Sequence, residues 1–207
     1  MKTLMLGNEA AARGLYEAGC SFVSSYPGTP STEITECAAK YPEIYAEWAP
    51  NEKVAMEAAF GASLAGYRSF CGMKHVGLNV AADPLFTLSY TGVRGGLVIG
   101  VADDAGMHSS QNEQDSRFYG QFALVPTFEP SNLQEAYDMV QAAFDFSEKY
   151  RIPVLMRLTT RMDHSRAVVE VAGVRAENEC SYPAQTRQCV LMPGNSRVRY
   201  EALLADY

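Results

Sequence analysis

The stretch NEKVAMEAAFGASLAGYRSFCGMKHVGLN, residues 51–79, decides the fold. Its first half reads as a helix over 51–67, because Val54, Ala58, Gly61, Ala62 and Ala65 recur at three- and four-residue intervals and so share one face. That face has little side-chain bulk, which predicts close approach by a sheet or another helix. Asn51, after Pro50, is a good N-cap, and Glu52 in the first turn complements the helix dipole. Residues 69–74 then read as a short strand that ends on a cation and an imidazole, Lys74 and His75. A helix that feeds a short apolar strand is the repeating unit of a parallel sheet.

The same alternation extends in both directions. Upstream, a helix over about 8–18 leads to a strand at 22–26, a turn at 27–31, a helix capped by Ser31 or Thr32, and a strand at 44–48. Downstream, 78–90 is partly helical and 96–102 is a buried central strand. A polar segment fills 103–117, 124–128 resembles a strand, 132–148 is an amphipathic helix, and 153–158 is the last sheet strand. The fold class is therefore α/β, three-layered, with a mainly parallel sheet flanked by helices. Residues 1–172 form one domain. Residues 173–207 read as a linker bracketed by Pro183 and Pro193, followed by the opening of a helix with nothing to pack on, as expected of a chain cut from something longer.

With 47% apolar and 20% charged residues, the composition is that of a soluble globular protein. A formal charge of -7 without any basic cluster argues against nucleic acid as a partner. The longest apolar run, 97–102, falls far short of the roughly 20 residues that span a bilayer, and the N-terminus lacks a signal-peptide core. The expected location is the cytoplasm. Cys20, Cys37, Cys71, Cys180 and Cys189 contain no CxxC element, so the chain itself shows neither a zinc nor an iron–sulfur site, and no metal ligands are assigned.

Ligands of such sheets gather beyond the C-terminal ends of the strands. Three loops there stand out. In YPGTPS, residues 26–31, two prolines and Gly28 make a stiff turn that presents the Thr29 hydroxyl, or simply cap the next helix. In MKHVGLN, residues 73–79, His75 can donate to a carbonyl or pass a proton and Lys74 can hold an anion, or both are satisfied loop residues. The loop ADDAGMHSSQNEQDSR, residues 102–117, suits a site that orients a polar ligand, or is a surface excursion. GxGxxG, GxxxxGK[ST] and GxSxG are all absent, which removes the main support for a nucleotide-binding or serine-hydrolase reading.

Taken together, these three loops and the segments GNEAAARGLYEAGCSFVSSYPGTPSTEI and NEKVAMEAAFGASLAGYRSFCGMKHVGLNVAADPL closely resemble the thiamine-diphosphate-dependent 2-oxoacid:ferredoxin oxidoreductases. Within them, the chain is similar to the N-terminal part of the indolepyruvate:ferredoxin oxidoreductase alpha subunit. The likeness is dense over residues 4–165, and VLMPGNSRVRYEALL resembles the family's interdomain segment. The family usually has proline where this chain has Ala105, a departure that removes no functional group.

The resemblance implies a thiamine-diphosphate-binding fold in its pyrimidine-binding version. It implies that Glu52 contacts the aminopyrimidine ring and favours the tautomer that can take the thiazolium proton. By the same likeness Pro27, Gly28 and Thr29 frame the cofactor, and Thr29, His75 and His108 contact the substrate. Arg117 is chemically suited to a two-pronged bond with a 2-oxoacid carboxylate.

No GDG followed by asparagine is present, so a pyrophosphate domain outside this chain would hold the diphosphate through Mg, and any iron–sulfur clusters would also lie outside it. The implied partners are that domain, a second subunit, ferredoxin, coenzyme A and a second copy of this domain. The isolated chain is expected to be inactive. The alternatives are the same chemistry on pyruvate, 2-oxoglutarate or branched-chain oxoacids, and a non-catalytic assembly domain of the same fold.

Overall fold

The computed structural model describes residues 1–176 and 189–206. Strands β2 (Phe22–Ser25), β3 (Tyr45–Trp48), β4 (Ser69–Lys74), β5 (Leu97–Asp103), β6 (Thr127–Phe128) and β7 (Val154–Thr159) form one parallel sheet in the order β3-β2-β4-β5-β7-β6. Helices α1 (Gly7–Glu17), α2 (Thr32–Ala38) and α7 (Leu133–Tyr150) cover one face; α3 (Glu52–Leu64), α4 (His75–Val80) and α5 (Ala82–Thr91) cover the other. This is the expected three-layer arrangement.

Successive side chains of a strand point to opposite faces, so each central strand feeds both cores. Phe70, Val98 and Met156 join Leu15 and Phe144 in one apolar layer, whereas Cys71, Ile99 and Leu155 join Met56, Leu78 and Leu88 in the other. Gly100 in β5 leaves room for the Phe70 ring of β4, which would collide with any side chain there.

Several expectations are corrected. A second sheet, two-stranded and antiparallel, pairs β1 (Lys2–Leu6) with β8 (Arg166–Glu170). Its strands are short, half-exposed and far apart in the chain, so no local pattern announces them. The segment 78–90 divides at Ala81, the junction of α4 and α5. The polar loop ends in a helix, α6 (Arg117–Ala123), and Leu124 closes it in the left-handed region, which leaves β6 only two residues. Ser31 precedes α2 without capping it; its hydroxyl donates to the Gly28 carbonyl instead, while Thr32 accepts the Gly28 N–H.

The small-residue face of α3 also points the other way. The buried positions are Glu52, Ala55, Met56, Ala59 and Ser63, and Gly61 faces open space. Small and apolar residues surround this helix on all sides, so their spacing alone does not select a face. Asn51 does cap it, its side chain accepting the Val54 N–H at 3.0 Å.

At the C-terminal end, α8 (Thr160–Asp163) follows β7, and residues 171–176 lie against α1: the Ala176 N–H donates to the Glu17 carbonyl at 2.8 Å. Pro183 and Cys180 lie outside the described residues. Pro193 is the first residue of α9 (Pro193–Asp206), and this helix does meet the domain, with the Tyr200 ring 5.1 Å from Tyr90 of α5. Among the described residues no helix is long and apolar enough to cross a membrane, and no cluster of His, Cys, Asp or Glu has the makings of a metal site.

Candidate active site

The strand order reverses beside β2: the chain steps outward to β3, then crosses back to β4 on the other side. Such a switch point opens a crevice at the C-terminal ends of the strands. The loops after β2, β3, β4 and β5 all leave the sheet at that end, carrying Thr29, Glu52, His75 and His108 respectively.

Residues 74–77 are where these loops converge. A β-carbon on Gly28 would lie 3.1 Å from the Lys74 side chain, so the proline-rich turn rests on that stem. Lys74 Nζ reaches the Ser109 carbonyl at 3.4 Å. His75 is completely buried, and its Nε2 lies 3.0 Å from the Asn112 carbonyl. A carbonyl only accepts, so Nε2 carries the proton; Nδ1 is sealed off without a partner among the described residues. The imidazole therefore ties the polar loop to α4 and does not reach the surface. Lys74 and His75 together hold that loop by two of its carbonyls.

Glu52 opens α3 immediately beside this junction. It is buried but for 8% of its surface, yet its carboxyl accepts no hydrogen bond and forms no ion pair among the described residues. Gly77 of α4 presses against that carboxyl. From β4 beneath, the Cys71 thiol is pushed well up by burial, and then further by the charge of Glu52. An acid held at this junction without an internal partner is available to a ligand. It suits a group that offers a nitrogen to a carboxylic acid, as an aminopyrimidine ring does.

The polar loop spends most of its groups on itself. Asp104 accepts the Ser109 N–H at 2.7 Å and the Ser110 hydroxyl at 2.8 Å through Oδ2, and the Thr160 hydroxyl at 2.8 Å through Oδ1. Burial alone would raise its pKa, but these donors outweigh it and hold the carboxyl well below the usual range. Glu113 accepts the Gly106 N–H at 3.0 Å. Arg117 pairs with Asp115, its Nε at 2.8 Å from Oδ1 and Nη2 at 2.6 Å from Oδ2, and this holds the Asp115 carboxyl down at about 2.

Of the expected site residues, the structure thus leaves Thr29 and His108 exposed on their loops and Glu52 buried without a partner. Pro27 and Gly28 form the turn beneath Thr29. His75 is engaged by the loop, and Arg117, though exposed, is engaged by Asp115. Sequence reasoning missed Gly77, which a lone glycine inside a helix could have signalled. It also missed the framework roles of Asp103, Asp104 and Arg157; two adjacent acids ending a buried strand were the available clue.

A profile of the family described as pyruvate flavodoxin/ferredoxin oxidoreductase, thiamine diphosphate-binding, matches residues 13–195. The chain belongs to this family. Members of the pyruvate flavodoxin/ferredoxin oxidoreductase family similar to it include the indolepyruvate oxidoreductase subunit IorA of Archaeoglobus fulgidus, 48% identical over 206 residues, which cover 95% of this chain and 33% of the relative. The IorA of Pyrococcus horikoshii is 53% identical over 85% of this chain and 28% of its own. The 2-oxoglutarate synthase subunit KorA of Methanocaldococcus jannaschii is more distant, 32% identical over 80% of this chain and 48% of its own. The chain spans about a third of the length of the IorA relatives it matches.

A solved 2-oxoglutarate:ferredoxin oxidoreductase from Magnetococcus marinus, with 2-oxoglutarate, coenzyme A and succinyl-CoA bound, superposes with a TM-score of 0.71. It is 16% identical, and the match covers all of this chain and 46% of that one. At that identity the likeness establishes the fold alone.

Proposed function

We propose that this chain is the pyrimidine-binding module of a thiamine-diphosphate-dependent 2-oxoacid:ferredoxin oxidoreductase that decarboxylates aryl 2-oxoacids such as indolepyruvate to their acyl-CoA products. The carboxyl of the buried Glu52, without a hydrogen-bond partner among the described residues and set at the sheet's switch point, carries the reading. Family membership and the IorA relatives support it.

Thiamine diphosphate, when bound, supplies a thiazolium carbon that attacks a 2-oxo carbon and stores the electrons left when carbon dioxide departs. The residues of this chain prepare that chemistry. Glu52, free of any internal hydrogen bond among the described residues, would offer its carboxyl to the pyrimidine ring and favour the tautomer that can take the thiazolium proton. Pro27 and Gly28 fix the turn from which the exposed Thr29 hydroxyl can bind the substrate. His108 presents a second polar contact from the loop braced by Asp104. His75 acts indirectly, by holding that loop. Arg117 binds a substrate carboxylate only by sharing its guanidinium with Asp115.

A pyrophosphate domain with Mg, a companion subunit carrying iron–sulfur centres, ferredoxin, coenzyme A and a second copy of this module complete the proposed enzyme in the cytoplasm. The KorA relative favours a second reading, the same chemistry on 2-oxoglutarate. Comparing kcat/KM for indolepyruvate and 2-oxoglutarate distinguishes the two.

Glu52→Gln in the assembled enzyme tests the central claim. Decarboxylation should fall by about two orders of magnitude or more while the protein still folds. Unchanged turnover would leave only an assembly role for this domain.

A further inference from the structure

We propose that Gly77 is a positioning residue for Glu52: lacking a side chain, it lets the α4 backbone lie against the carboxyl and keep it in place. The proposal rests on Glu52 being the cofactor contact. A β-carbon at residue 77 would stand 2.5 Å from Glu52 Oε1, 2.6 Å from Cγ and 2.8 Å from Cδ, inside van der Waals separation for all three. Gly77 does not adopt a left-handed backbone, so its conformation does not itself require glycine. An alanine there favours the helix. The reason for glycine at this position is therefore the carboxyl it faces.

The two partners differ in freedom to move. α4 is held on either side of Gly77, by Leu78 in the apolar core and by His75 on the Asn112 carbonyl. Glu52 has no hydrogen bond to hold its tip among the described residues. A methyl group at 77 would thus leave the helix where it is and swing the carboxyl aside. The fold would tolerate the change, and the site would lose its acid.

The test is Gly77→Ala, Glu52→Ala and the double variant, each in the intact enzyme with its companion subunits. Thiamine diphosphate affinity is measured by calorimetry, thermal stability without cofactor by melting, and the carboxyl position by crystallography of Gly77→Ala. Gly77→Ala should weaken cofactor binding at least about tenfold when Glu52 is present and have almost no effect when it is absent, with little change in Tm. The crystal structure should show the carboxyl displaced. An equal loss of affinity in both backgrounds, no loss with Glu52 present, or a carboxyl in its original place would overturn the proposal. If Glu52→Ala itself binds cofactor normally, the cofactor role of Glu52 falls, and the carboxyl position still decides whether Gly77 sets it.

Discussion

Asp103 closes the loop that follows β5 by gripping Ser116 twice: Oδ2 accepts the Ser116 N–H at 3.0 Å, and Oδ1 accepts the Ser116 hydroxyl. Arg157 of β7 donates to the same carboxylate at 2.7 Å and also pairs with Glu129. The grip is buried, with Asp103 completely inaccessible. Ser116→Ala removes one hydrogen bond to a charged acceptor and should cost about 1.5–3 kcal/mol. Asp103→Ala should cost about 3 kcal/mol or more, because it strands the Ser116 amide and deprives Arg157 of its inner partner. Urea denaturation of the two variants checks the order.

Asp104 gives the same loop a dependence on acid. Its folded pKa lies below its unfolded value, so its contribution to stability is complete above the unfolded value and is lost as pH falls through the folded one. Below about pH 4, stability should decline. Asp104→Asn should be less stable than the wild type near neutrality and should flatten that acid limb, as read from denaturation midpoints across the acidic range.

Asp163 has the opposite sign. It is completely buried, and neither oxygen has a hydrogen-bond partner among the described residues. Burial, and then the nearby Glu33 charge, raises its pKa well above the ordinary value. Its contribution is present below the unfolded pKa and is lost as pH rises toward the folded one. Asp163→Asn, uncharged and of the same shape, should raise Tm near about pH 8 and leave it almost unchanged near about pH 3. An unaltered difference between the two conditions would count against a protonated Asp163.

Tyr137 joins α7 to both α1 and the segment leaving the domain. Its hydroxyl donates to the buried Glu17 carboxylate and accepts the Ala172 N–H at 3.0 Å, while Gly173 donates to Glu17 at 2.9 Å. Tyr137→Phe should destabilise by about 1.5–3 kcal/mol. It should also speed hydrogen exchange at the Ala172 amide, which mass spectrometry can follow.

Residue order by itself determined the alternation of helices and strands, the central buried strand 97–102, the Asn51 cap and the small set of loops in which to look for a site. Each depends on contacts a few residues apart, where periodicity and turn chemistry act. Tertiary structure decided what lies far apart in the chain: the pairing of Lys2–Leu6 with Arg166–Glu170, the buried face of the helix after Asn51, and the seat of Gly77 against Glu52. It also turned the polarity of the loop at 103–117 inward, since hydrogen bonds to Asp103 and Asp104 consume groups that look free in one dimension. The acid at residue 52 was legible because its position at a helix start is local. Its want of a partner was not, because a buried carboxyl is satisfied or left bare by whatever the rest of the fold brings to it.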